Sequence, residues 1–493
     1  MARYRGSARD ASKHTGDQYS RGFQYRDPDV KDIEFSDWKR MSPRGKVDAG
    51  TDILHYAEDC IIRDGIIYPL YKTAIQEITL TGSLTGIGTF SVAIGATEYV
   101  VLLYRTSTDK LKIYRTDGTT SVNDTFSSID VTTSDIARGF QWGGYLYFGS
   151  PGIATGLLKY DIVNRTITEV STAHTALYDL FVVNNNAISV EYVSASNYWL
   201  VSWSVDSLPE DWTGAGSGSK IYYNAKYCCA ASYDRYAVMM FDRYAERVEA
   251  TGTADPTFMF TRIESVLGTL NRNTVARIGE AVVYIGTDQK LMALVGDNVR
   301  RIGLDWVELE TGYSPRVMSI RHANLVMVTF PGSEYSKSGI LIDENLNIVG
   351  TMYIGWTITS IASITDYAYA QSATYQYKIE LLSKATSAID PPTGMQTSFV
   401  DIGEDAVIES IDVITLTNAS PTSLYVTLQY KDAVSSTSRT ILVTTPSLNF
   451  GYGYRYSLNA AARVFNIKIS SGTWTNESAI VKVIAKVRKQ KLI

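Results

Sequence analysis

The stretch Tyr99-Val100-Val101-Leu102-Leu103-Tyr104 runs through a polar turn at Thr108-Asp109-Lys110 into Leu111-Lys112-Ile113-Tyr114-Arg115. The second segment alternates apolar and polar side chains with period two, as a half-buried strand does. The first is apolar throughout. Two such strands around a short polar loop read as a β-hairpin. A lone hairpin of this kind cannot bury both faces, so neighbouring copies must stack against it.

The unit returns along the chain. Gly143-Gly144-Tyr145-Leu146-Tyr147-Phe148 leads to Leu157-Leu158-Lys159-Tyr160-Asp161, and Leu180-Phe181-Val182-Val183 leads to Ile188-Ser189-Val190-Glu191-Tyr192. Further copies open at Tyr236, Ala281 and Leu325. A spacing of roughly 40–50 residues matches four-stranded propeller blades. Residues 51–390 therefore read as a β-propeller-like domain of about six or seven blades. Two β-sandwiches with unrelated hairpins are the alternative. The Pro391-Pro392 pair cannot continue a ladder and marks a linker or corner. Regular alternation over residues 395–493 then fits one small β-sandwich. Residues 1–50 lack apolar alternation but carry Tyr4, Tyr19, Phe23, Tyr25, Phe35 and Trp38. That many aromatics favours an extended arm that orders on a partner over a solvating tail. The expected fold class is thus all-β: arm, propeller, sandwich.

Composition agrees. The 493 residues exceed what one compact core can serve. Tyr outnumbers Phe by 34 to 14, and Tyr suits pleated, half-wet surfaces. A net charge of -5 argues against a general nucleic-acid binder. Basic residues gather at the two ends of the chain and leave an acidic middle. The three cysteines, Cys60, Cys228 and Cys229, suggest no disulfide framework and fit folding in a reducing cytoplasm. The opening residues lack the apolar stretch of a signal peptide, and no apolar run is long enough for a membrane span.

Catalytic constellations are hard to find. His14, His55, His174 and His322 show no ligand spacing, so no metal and no cofactor are expected. Gly214-Ala215-Gly216-Ser217-Gly218-Ser219 lacks the Lys-Ser/Thr of a phosphate loop and reads as a flexible turn. Ser204-Val205-Asp206-Ser207-Leu208-Pro209-Glu210-Asp211-Trp212 resembles the aspartate box of sialidases. It is one residue too long, lacks the glycine and occurs once. The expectation is a protein without enzymatic activity. Trp203 and Trp212 are expected to anchor blade packing.

Three segments together resemble the tail hub, nozzle and packaged-DNA stabilisation proteins of short-tailed bacteriophages. They are Tyr198-Trp199-Leu200-Val201-Ser202-Trp203-Ser204 leading to Trp212; the line from Ser265-Val266-Leu267-Gly268 through Asn273-Thr274-Val275-Ala276-Arg277-Ile278-Gly279 to Arg300-Arg301-Ile302-Gly303; and Ala462-Arg463-Val464-Phe465-Asn466-Ile467-Lys468-Ile469 with the basic ending Lys486-Val487-Arg488-Lys489. The resemblance implies a virion protein assembled in the host cytoplasm as a ring, usually a homohexamer. Such a ring sits below the portal and adaptor rings and carries tail fibres, spikes or a needle. It retains packaged double-stranded DNA and guides its ejection without sequence-specific binding. Arg3, Arg5, Arg9 and Lys13 in the arm, with Lys486, Arg488, Lys489 and Lys491 at the other end, are the candidate partner-interface residues. A carbohydrate- or receptor-binding propeller is the alternative, with a glycosidase behind it.

Overall fold

A computed structural model describes residues 30–41, 51–74, 84–171, 174, 177–253, 257–302, 315–329, 338–353, 358–371, 376–380, 393–416, 424–431, 438–444, 446–450, 452–471 and 479–489. The regular structure of the described residues is β-strand throughout, apart from one short 3₁₀ turn at Arg321–Ala323. Contacts divide the chain into two units, Leu70–Ser383 and Met1–Pro69 with Lys384–Ile493.

The larger unit is a β-propeller. Six of its blades are separate four-stranded antiparallel sheets. In chain order, the strands of blades 1 to 5 fall within 85–130, 138–171, 177–223, 227–263 and 275–301. A further four-stranded meander, within 316–353, takes the sixth place in the ring. The last blade combines Ser360–Ser363, Tyr367–Gln371 and Gln376–Glu380 with Tyr71–Ala74 from the start of the unit. The first strand of each blade lies beside the first strand of the next, and Ser360–Ser363 lies beside Thr85–Ile94. The ring is therefore closed by strands that are distant in sequence, and each blade's first strand has a neighbour on both sides.

Every hairpin read from the sequence is present. The decisive stretch forms the second and third strands of blade 1, Thr97–Arg105 and Lys110–Thr116. Apolar layers lie between consecutive blades, not inside them. Val101, Leu103 and Ile113 of blade 1 pack on Leu146, Phe148, Leu158 and Tyr160 of blade 2. Phe181 and Val190 of blade 3 pack on Met239 and Phe241 of blade 4 in the same way. Each such side chain, fully buried, contributes about 1.5–3 kcal/mol. The second strand of a blade is thus apolar on both faces because both faces are covered by neighbours.

Tyrosine carries a second, regular device. Tyr99, Tyr145, Tyr236 and Tyr367 each stand on a blade's second strand, two residues before the partner of a Lys or Arg on the third. Those cations are Arg115, Lys159, Arg247 and Lys378, lying 4.9, 4.0, 5.4 and 3.7 Å from the ring centroids. The diagonal of an antiparallel pair brings such long side chains within reach, and a cation over a Tyr face is stabilising.

The second unit is a β-sandwich organised by two long strands, Val400–Thr415 and Gly453–Ser471, paired antiparallel through two irregularities near Asp401 and Ile408. Ile480–Lys489 continues the sheet beyond Val400–Thr415, and Val30–Ser36 pairs with it from Lys482 to Arg488. Leu424–Lys431 and Thr393–Thr397 pair with the far half of Gly453–Ser471. Phe35, Ile408, Ile411, Leu428, Phe465, Ile467 and Val483 fill the core, and Phe35 meets Phe465 edge-on at 6.4 Å.

The division of the chain differs from the one expected. Residues 30–36, read as arm, are a strand of this sandwich. Ile53–Glu58, Cys60–Arg63 and Ile66–Pro69, read as the first part of the propeller, belong to the same unit, and Ala57 pairs with Met395. Local alternation signals a strand but not its partner, and here the partner lies several hundred residues away.

Candidate functional site

The first strands of the propeller surround an axial channel of about 960 Å³. Three arginines converge at its end where those strands begin. Arg138 opens the first strand of blade 2, and Arg316 opens that of blade 6. Arg272 lies on the segment that joins blade 4 to blade 5.

That segment, residues 264–274, is a tightly tied strap. Thr269 N–H donates to Phe241 O at 2.9 Å, and the Thr269 hydroxyl donates to Ile285 O at 2.8 Å. Thr274 Oγ1 donates to Asn271 O at 2.7 Å, and Val317 N–H of blade 6 donates to Asn273 O at 2.8 Å. Gly268 makes the path possible. Its φ is +103°, and a Cβ there would stand 2.4 Å from the Asp242 main chain. Only glycine tolerates both conditions.

The strap carries Arg272 to the axis. Its Nη2 donates to Ile136 O at 2.6 Å, and Arg138 Nη2 donates in return to Arg272 O. Blades 2 and 5 are not neighbours, so this reciprocal pair spans the channel mouth. The Arg272 guanidinium also lies 4.5 Å from the Tyr178 ring centroid in blade 3. Arg316 Nη1 donates to Thr359 O at 3.1 Å, just before blade 7. Arg272 is only 7% exposed.

Burial and mutual repulsion outweigh the opposing groups around Arg272. Burial, and then the charge of Arg138, lower the pKa of Arg272. Burial, with Arg138 and Arg272 beside it, brings Arg316 down to about 10. Asp179 and Asp135 both pull the Arg272 pKa back up, but the oxygens of Asp179 are engaged. Oδ2 accepts from Tyr227 O–H at 2.7 Å and Ala230 N–H at 2.9 Å, and Oδ1 accepts from Leu180 N–H at 2.9 Å. Meanwhile Arg138 Nε, Arg272 Nε, Arg272 Nη1 and Arg316 Nε are buried donors with no acceptor among the described residues. Chemically, the site offers converging guanidinium donors, with Arg272 buried and Arg138 and Arg316 half-buried.

A second concavity, of about 470 Å³, lies between blades 2 and 3 and is lined by Trp142, Tyr145, Tyr147, Leu208, Pro209 and Glu210. Glu210 accepts from Tyr147 O–H at 2.7 Å and from Lys159 Nζ at 2.6 Å. Lys159, despite the cost of burial, thereby holds the Glu210 carboxyl below its ordinary range. The same trio recurs one blade on, where Tyr222 and Lys220 both donate to Glu246 at 2.6 and 3.1 Å. Trp203 packs edge-on against Phe258 at 5.5 Å, across the boundary from blade 3 to blade 4. Trp212 lies against His174 at 4.4 Å, in the layer between blades 2 and 3.

Among the expected interface residues, Arg3, Arg5, Arg9, Lys13 and Lys491 lie outside the described residues. Lys489 ends the strand Ile480–Lys489. Lys486 and Arg488 stand on the same strand and meet acids of their own chain. Lys486 Nζ is 3.6 Å from Asp412, and Arg488 Nε is 2.8 Å from Glu409. Arg138, Arg272 and Arg316 were not singled out by sequence. They are far apart in the chain, share no spacing, and meet only because the ring closes.

No family model matches the chain, and no curated protein matches it. Among solved structures, BamB from Moraxella catarrhalis superposes with a TM-score of 0.37 at 9% identity, covering 64% of this chain and 98% of that one. PorZ, described as an essential surface component of the type-IX secretion system of Porphyromonas gingivalis, superposes with a TM-score of 0.40 at 9% identity. It covers 76% of this chain, which spans 48% of PorZ. Likeness at this level carries no functional weight.

Proposed function

We propose that the protein is a structural virion component, a tail hub or nozzle ring that retains packaged DNA and guides its exit. The observation that carries this reading is where the three resembling segments fall. Tyr198–Trp203 is the third strand of blade 3, and the following turn places Glu210 on blade 2. The line from Ser265 builds the strap and then blade 5. Ala462 to Ile469 lies on the longest strand of the sandwich, and Lys486 to Lys489 on its last. The resembling residues thus hold the architecture together, as expected where architecture is the function.

In this reading the DNA does not pass through the propeller itself, because the Arg138–Arg272 pair spans the channel mouth. The conduit is the space enclosed by several subunits. An acidic body suits that role, since each phosphate neutralised by a cation adds salt-dependent drag on moving DNA. Ring formation needs heterologous contacts, and tyrosine-rich surfaces serve them well. The test is to assemble particles without this chain. They should package DNA, lose it, and show tails that stop short of the hub. Particles that keep their DNA and a complete tail would rule the proposal out.

The groove beside Tyr145 favours a second reading, a glycan-binding propeller, because aromatic walls with one carboxylate suit a sugar face. Specific glycan-array signals lost in Trp142→Ala would support it. An array without signals would dismiss it.

A further inference from the structure

We propose that Arg138, Arg272 and Arg316 form a binding site for a small multivalent oxyanion of the phosphate class, seated in the propeller channel. This inference is independent of the tail-ring reading and rests on geometry within one subunit.

Among the described residues, the hydrogen bonds of these three guanidiniums go only to main-chain carbonyls, those of Arg272, Ile136 and Thr359. Neutral acceptors orient a cation but do not compensate its charge. Buried cations are stable when they are paired with an anion. Among the described residues, four guanidinium nitrogens are buried without an acceptor, two of them on Arg272, which is 7% exposed. Of the two carboxylates that act on Arg272, Asp179 already receives three hydrogen bonds and has been turned towards blade 4, and Asp135 accepts from the Thr133 hydroxyl. The channel is large enough for a ligand, and Arg138 and Arg316 line it.

The arrangement also selects the ligand. Guanidiniums present planar forks that match carboxylate or phosphate oxygens in pairs. The three forks here start from blade 2, blade 6 and the strap before blade 5, so they approach from different sides of the axis. A carboxylate presents two oxygens in one plane and satisfies one fork, or two at most. A tetrahedral phosphate presents oxygens in several directions and can meet three. Two sources share this chemistry, inorganic phosphate and a phosphate monoester such as a nucleotide.

The experiment is thermal unfolding of the intact protein in chloride and in phosphate buffers of equal ionic strength and pH. Binding to the folded state raises the melting temperature with the logarithm of ligand concentration. For a unit of this size the rise should be about 2 °C for each tenfold increase above the dissociation constant. Arg316→Gln should abolish the rise. In phosphate-free buffer it should melt no lower than the wild type, because it removes a repelling charge. Arg243→Gln, a change at an exposed arginine outside the channel, should keep the full response. Isothermal titration with inorganic phosphate gives an independent reading of Arg272→Met should that variant melt early.

A nucleoside monophosphate that binds tighter than inorganic phosphate would identify an ester as the ligand, and the reverse order would identify the free ion. A rise matched by citrate would overturn the phosphate assignment. A rise that persists in Arg316→Gln, or no rise at all, would overturn the site.

Discussion

The basic residues of the propeller channel and those of the terminal sandwich are handled in opposite ways. In the sandwich several cations stand beside acids. Arg455 holds Asp412 with two hydrogen bonds of 2.7 and 2.8 Å, Lys486 approaches the same carboxylate, and Lys482 meets Glu34 at 2.7 Å. In the channel Arg138, Arg272 and Arg316 stand beside one another, and their partners are carbonyls. The first arrangement is complete in itself and serves to hold strands together. The second leaves buried guanidinium donors unmet among the described residues. A cation that is already neutralised is a structural part; three that gather with unmet buried donors are what we propose as a site.

The sharpest break in that comparison is Arg455→Met. It leaves the Asp412 side chain, 5% exposed, with Lys486 alone at 3.6 Å, and removing one partner of a buried pair costs about 3 kcal/mol. Chemical denaturation should show the sandwich transition moved to lower denaturant. Arg316→Gln should show no such loss, and an equal loss would mean that the two regions are not different in kind.

Gly268→Ala comes next. The positive φ and the 2.4 Å approach to Asp242 should cost about 2 kcal/mol and shift the strap that carries Arg272. The variant should melt earlier and lose its response to phosphate together, whereas a stability loss with the response intact would detach the strap from the site.

Acid should act on the propeller through Glu98. Burial raises its pKa, but hydrogen bonds from Thr365 N–H and hydroxyl, with His322 at 2.9 Å, outweigh burial and hold the carboxyl below its ordinary value. A depressed folded pKa means stability that is fully present above the ordinary carboxylate value and is lost as pH falls through the folded one. These contacts join blade 1 to blades 6 and 7, so ring closure should weaken below that range. Melting curves from neutral to acid pH should flatten in Glu98→Gln, and an unchanged slope would assign acid sensitivity elsewhere.

The smallest effect concerns Tyr145→Leu. It removes one cation–aromatic contact, 4.0 Å from Lys159, at a ring that is 36% exposed. The cost should be about 0.5 kcal/mol, visible as a small shift in denaturation midpoint. A larger loss would mean that the Tyr–cation diagonals are central to the blades.

Blades were legible in the sequence because each second and third strand writes its pattern locally, in runs such as Tyr236–Phe241 and Ala281–Ile285. What escaped was everything set by closure. Tyr71–Ala74 completes the last blade, and Val30–Ser36 completes the sandwich, yet neither segment differs in pattern from its surroundings. The three channel arginines escaped for the same reason. Arg138 precedes Gly139, Arg272 sits between two asparagines, and Arg316 follows Pro315, with nothing in common except where the ring delivers them. The tyrosine excess was visible as a number, but its register against Lys and Arg needed the strand pairing.

Native mass spectrometry of the purified protein, alone and with portal and adaptor proteins, tests the central claim most directly. A tail hub predicts a closed ring, six copies by the resemblance, either alone or on the adaptor. A strict monomer under both conditions would contradict it.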